Sequence, residues 1–129
     1  MAELLQERFD LKKENILRER NDFKRVFSSG RKLENAFFQV TYESNKQGKR
    51  RIAVVIGRKF GKATLRNRIR RRIKEVYRLN REKFPPCTDY IIRPRESSKY
   101  ISFFELQDNL LRLIERCTSQ KENTILRGQ

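Results

Sequence analysis

The spacing of apolar residues predicts an α+β sandwich: a single domain with a small sheet packed against helices, in the order α-β-β-α-β-α. Three observations carry the prediction. Residues 37–42 alternate between two faces, and the run from Ile52 to Ile56 is apolar on both. After Gly61 the period lengthens to three and four, at Leu65, Ile69, Ile73, Val76 and Tyr77. A chain of 129 residues with 36% apolar content suits one domain that buries about two-thirds of its unfolded surface.

In "NDFKRVFSSG", Asn21 or Asp22 can cap a short helix. Phe23, Val26 and Phe27 form its apolar face and Gly30 ends it. "NAFFQVTYES" follows as a strand, with Phe38, Val40 and Tyr42 on one face and Phe37, Gln39 and Thr41 on the other. "NKQGKR" turns the chain into "RIAVVIG", read as a central strand buried on both faces and paired with its predecessor as a hairpin. The next helix runs to about Asn80, and Pro85 and Pro86 break the chain. "TDYIIRP" is a third short buried strand that Pro94 closes. Ser102 and Glu105 form a capping box for a last helix with Phe103, Leu106, Leu110, Leu113, Ile114 and Cys117 on its apolar face. The domain is placed at 16–117, between an N-terminal extension (1–15) and a C-terminal tail (118–129), both read as mobile.

Lys and Arg number 32 against 16 Asp and Glu, a net charge of +16. More than half of the excess lies between Arg58 and Lys74, where nine cations stand with no anion. With Ile69 at zero and about 100° per residue, Leu65, Ile73 and Val76 fall within about 40° of it, whereas Asn67, Arg71, Lys74 and Arg78 lie near the opposite side. Arg66, Arg70 and Lys74 form one row at spacing four, and Arg68 and Arg72 a second, so like charges are neighbours and weaken the helix. Glu75 is the only acid between Arg58 and Arg81. Phosphates suit that surface, because arginine's planar fork binds their oxygens in pairs and releases condensed counterions. A membrane surface fits less well, since the apolar stripe is needed by the fold. Some of Phe23, Phe27, Phe38, Val40 and Tyr42 are candidates for a groove that stacks unpaired bases.

Catalytic chemistry is poorly represented. The chain has no histidine, and its two cysteines, Cys87 and Cys117, lack metal-ligand spacing. No nucleophile has a partner base and no Gly-rich phosphate loop is present. Glu105 and Asp108 are better explained by the start of the last helix than by Mg2+. There is no secretory signal and no apolar run of membrane-spanning length, so the chain is expected in the cytoplasm with reduced thiols.

"GRKFGKATLRNRIRRRIKEVY" resembles the signature of the bacterial ribonuclease P protein subunit, through Arg58, Lys59, Gly61, Ala63, Arg66, Asn67, Arg68, Arg71 and Arg72. Upstream, Asp22, Phe23, Val26, Phe27, Gly30 and Phe38 are similar to that family's first helix and strand, and the likeness extends over 16–116. The resemblance implies a left-handed βαβ crossover, against the general rule. It implies a subunit that binds a catalytic RNA and the 5′ leader of precursor tRNA, assisting endonucleolytic removal of the leader. The catalytic groups and most of the Mg2+ would belong to the RNA, with none of the metal bound by the protein alone. Carried onto this chain, the RNA-facing set is Arg66, Asn67, Arg68, Arg71 and Arg72, with Arg58, Lys59 and Lys62 nearby. Arg70 and Lys74 join it on the same helix. Phe23, Phe27 and Phe38 would line the leader cleft, with Val40 beside them. Where some members of that family carry an aromatic near position 41, this chain has Thr41, and Tyr42 points the other way. No membrane and no obligate protein partner is expected. The alternative is a structural RNA-binding protein of ribosomal type.

Overall fold

Strand β4 (Thr88–Pro94) runs through the middle of a four-stranded sheet, and its first five residues are all buried. The computed structural model describes residues 15–127, with side chains for 15–117. Before β4 come helix α1 (Arg20–Ser29), strands β1 (Arg31–Glu34), β2 (Phe38–Ser44) and β3 (Arg50–Val54), and helix α2 (Ala63–Leu79). Helix α3 (Phe103–Arg127) follows it. The expected N-terminal extension lies outside the described residues except for Asn15. The segment expected as a tail enters α3, whose backbone continues to Arg127.

The α+β class and the three expected strands are present, but the sheet order is β1-β2-β4-β3. The expected hairpin between β2 and β3 does not form. β4 lies between them, antiparallel to β2 from Phe38↔Pro94 to Ser44↔Thr88 and parallel to β3 from Arg50↔Thr88 to Val54↔Ile92. The link after β2 is held where β4 begins: the Asn45 N–H donates to the Cys87 carbonyl at 2.8 Å, and its side-chain amide donates to Lys49 and Asp89. β3 is therefore an edge strand rather than a central one, although both its faces are covered. Part of its outer edge is taken by the preceding segment, where Ile16 bridges to Ile52 and the Leu17 N–H donates to the Ile52 carbonyl. β4 takes the centre, where its Tyr90, Ile91 and Ile92 are fully buried.

β1 went unpredicted because "RKLE" holds one apolar residue and no alternation. Its strand geometry comes from pairing with β2, Arg31↔Tyr42 to Glu34↔Gln39. The hairpin between them turns at Asn35, whose Oδ1 accepts from the N–H groups of Phe37 and Phe38 at 2.9 and 2.8 Å.

The sheet separates two cores. On one face α2 and α3 cover Phe38, Val40, Tyr42, Ile52, Tyr90 and Ile92. Tyr77, Phe84 and Tyr90 meet edge to face there, with centroids 5.0 and 5.4 Å apart. On the other face α1 buries Val26 against Ala53, Ile91 and Leu17. α1 begins at Arg20 without a side-chain cap; Asp22 does not cap it but turns toward Arg51 at 3.3 Å. The helix ends as expected at Gly30, where a Cβ would stand 2.3 Å from the Val26 carbonyl oxygen, so only glycine lets the chain turn there. Ser102 caps α3, its Oγ accepting from the Glu105 N–H at 3.1 Å.

One buried carboxylate fastens the α1 layer to the sheet. Asp89, fully buried, accepts from Arg51 on β3 at 2.7 and 2.9 Å, from Asn45, and from Arg25 on α1, which also donates to Glu43. Asp89→Ala should strand the Arg51 guanidinium and lower the unfolding free energy by about 3–5 kcal/mol. Breaking the exposed Glu34–Arg95 pair by Glu34→Ala should cost about 0–1 kcal/mol. Urea denaturation of both variants checks the contrast; equal losses would contradict it.

Candidate nucleic-acid interface

α2 docks through one stripe. Ile69, Ile73, Val76 and Tyr77 are buried and Leu65 is partly buried against the same core, as the angular reading expects. Each buried aliphatic of this kind contributes about 1.5–3 kcal/mol, whereas a like-charged pair at spacing four costs about 0.2–0.5 kcal/mol. The stripe therefore outweighs the repulsion of the four cation pairs at spacing four, and the helix forms despite its charge.

Away from the stripe Asn67, Arg68 and Arg71 are exposed, and Arg66, Arg70, Arg72 and Lys74 are partly so. The turn before the helix adds exposed Arg58, Lys59 and Lys62 around the buried ring of Phe60. Gly61 joins the turn to the helix at φ +156, a conformation that side chains rarely adopt. Among the described residues, none of these nine cations has a carboxylate within 4.0 Å. Arg25, Arg51, Arg78, Arg95 and Arg112 all have one. Even Glu75, the one acid in the helix, is turned to Arg78.

Of the paired arginines, Arg25, Arg51 and Arg95 tie one segment to another, whereas Arg78 and Arg112 pair within their own helices. Asn67 accepts from Arg70 at 2.9 Å through Oδ1, which leaves its side-chain N–H groups facing outward as donors. Arg66 carries a buried Nε–H without an acceptor among the described residues. Arg72 reaches across to the segment before α3, donating to the Ile101 carbonyl at 3.3 Å.

The residues expected to line a second, aromatic surface are split by the sheet. Phe38 and Val40 are fully buried beneath α2 and α3 and cannot share a groove with α1, because alternate strand residues take opposite faces. Tyr42 is in the same core. Phe23 and Phe27 remain together on α1, their centroids 6.4 Å apart; Phe27 is 46% exposed and Phe23 partly buried. The positions of β2 that do face α1 are Gln39, Thr41 and Glu43. Thr41 is buried, its methyl 3.1 Å from where a Gly30 Cβ would stand.

Sequence reasoning missed the charged clamp at the end of this surface, since Arg25, Arg51 and Asp89 carry no local signature across separations of 38 and 64 residues. Hydrogen bonding to Asp89 is the chief reason that the Arg51 guanidinium is held above its ordinary pKa. Among the described residues no three Asp, Glu or Cys side chains converge as metal ligands, and no helix is long and apolar enough to cross a membrane.

The family model for Ribonuclease P matches residues 11–118. The ribonuclease P protein component of Thermotoga maritima is 36% identical over 104 residues, covering 78% of this chain and 89% of the relative. That of Petrotoga mobilis is 37% identical over 109 residues, covering 81% and 92%. The solved structure of the Thermotoga maritima protein superposes with a TM-score of 0.74 at 34% identity, covering 78% of this chain and 96% of that one. A family match over most of the chain, relatives covered nearly whole and a common fold leave one conclusion: the chain belongs to the ribonuclease P protein family.

Proposed function

We propose that the chain binds the catalytic RNA of ribonuclease P through α2 and the turn before it, and assists endonucleolytic removal of the 5′ leader from precursor tRNA. The observation that carries this reading is the set of nine cations, on a helix that a single stripe holds in place and on the turn before it, that have no carboxylate within 4.0 Å among the described residues. Arg58, Lys59, Lys62, Arg66, Arg68, Arg70, Arg71, Arg72 and Lys74 take phosphates. Asn67, whose Oδ1 accepts from Arg70, donates through its side-chain N–H groups to a sugar or base edge.

The hydrolysis itself is assigned to the RNA. This chain has no imidazole, and its buried carboxylate, Asp89, is committed to Arg25 and Arg51. Mg2+ is assigned mainly to the RNA as well, since the described residues offer no converging set of acids to hold it. The protein's part is to lower the repulsion between two RNA molecules brought together, and to hold the leader. Precursor tRNA is placed on the α1 face at Phe27 and Phe23, without Phe38 and Val40. The cytoplasm is the compartment, where both RNAs are made.

Reconstitution tests the reading. With a transcribed bacterial ribonuclease P RNA at low Mg2+, the purified chain should accelerate cleavage of precursor tRNA, and without that RNA it should cut nothing. Absence of any stimulation, or cleavage by the protein alone, would end it. Within the active complex, Phe27→Ala should reduce the preference for precursor over mature tRNA by about 5-fold or more, as expected for one lost base stack, and leave the fold intact. Phe38→Ala should instead destabilise the protein by about 3–5 kcal/mol. Competition binding and thermal unfolding separate the two.

A further inference from the structure

Two of the most exposed side chains of the described fold are aromatic and lie four residues apart, where the chain enters α3. Tyr100 is 83% exposed and Phe104 is 78% exposed. The core does not need them: between them Ile101 and Phe103 already pack against it, and Phe104 only meets the Phe103 ring edge-on at 6.4 Å. The segment carrying them is fastened to the cationic surface at two points. Arg72 of α2 donates to the Ile101 carbonyl at 3.3 Å. Lys99, beside Tyr100, lies 5.3 Å from the centroid of Phe60, the buried ring under Arg58 and Lys59. The segment that carries the aromatic residues therefore borders the cationic surface.

Charge narrows the occupant. A protein partner seated here would have to match cations that this chain leaves without carboxylates. Phosphates suit those cations, but Glu105 and Asp108 beside Phe104 disfavour a phosphate at the rings themselves. A strand whose phosphates follow α2 and whose bases turn onto the rings satisfies both conditions, because stacking asks only for a π face. We propose that Tyr100 and Phe104 form a stacking site for unpaired bases of the catalytic RNA, beside the phosphate contacts of α2. The inference rests on the function proposed above.

The test measures binding of a transcribed bacterial ribonuclease P RNA, without precursor tRNA, across a range of salt. Tyr100→Ala/Phe104→Ala should bind about 10-fold or more weakly at fixed salt, as two lost stacks imply. Its dependence on salt should match the wild type, because no phosphate contact is removed. Arg68→Ala, measured beside it, should lower the slope by about one unit. If Arg68→Ala behaves so while the double variant binds like the wild type, the stacking site is overturned and the α2 reading stands. If the wild type does not bind, the subunit reading fails and the inference with it. Loss of self-association by the double variant, with unchanged RNA affinity, would give the patch to a second copy of the chain and overturn the proposal. A separate readout does not depend on alanine variants: the chain has no tryptophan, so Phe104→Trp places a single reporter whose fluorescence RNA should quench. Unchanged emission at saturating RNA would contradict stacking.

Discussion

A helix that repels itself must be held by something other than its own sequence. In this fold that is the stripe of Leu65, Ile69, Ile73, Val76 and Tyr77, packed on the sheet and on α3. The rest of the architecture follows from it. The sheet must offer an apolar face wide enough to receive the stripe, and α3 must close the same core with Leu106, Leu110, Leu113 and Ile114. Once the stripe is seated, the cations on the remaining circumference of α2 from Arg66 to Lys74 have no carboxylate within 4.0 Å among the described residues. The free protein keeps its repulsion in place, and in the function proposed here an RNA backbone relieves it on binding.

The second face of the sheet works by the opposite rule. Its buried charges, Arg51 and Asp89, are paired, because a small helix burying little beyond Val26 needs more than apolar contact to stay in place. Asp89 gathers Arg25 and Arg51 at one end, and Gly30 lets the chain leave α1 tightly against β2 at its own C-terminus. The exposed ring of Phe27 is thereby carried on a helix fixed at both ends. One sheet thus supports two surfaces of different character: an arginine-rich face on α2, and an aromatic face on a clamped helix.

The helices and the three longer strands could be read from the sequence, because their apolar periods are set locally and their burial follows the period. The docking stripe of α2 was legible for the same reason, and so was the identity of its cations. Strand neighbours were not. The β2 and β3 patterns say that each is buried, but not that β4, some forty residues later, would part them. β1 was invisible, since its one apolar residue takes strand form only by pairing with β2. The aromatic site was half legible: Phe23 and Phe27 share a helix face, but Phe38 and Val40 could be placed only once it was known which side of the sheet α1 covers. The Asp89 clamp joins residues far apart in sequence and had no pattern to announce it. The exposed pair Tyr100 and Phe104 became visible only as exposure.

The central claim is that the unpaired cations of α2 and its preceding turn are the RNA contact. It is tested most directly by the salt dependence of wild-type binding to a transcribed bacterial ribonuclease P RNA. With about six to eight phosphates engaged, the logarithm of the association constant should fall against the logarithm of salt concentration with a slope of roughly −5 to −7. A slope shallower than about −2 would mean that no more than two or three of these cations meet phosphate, and would contradict the account.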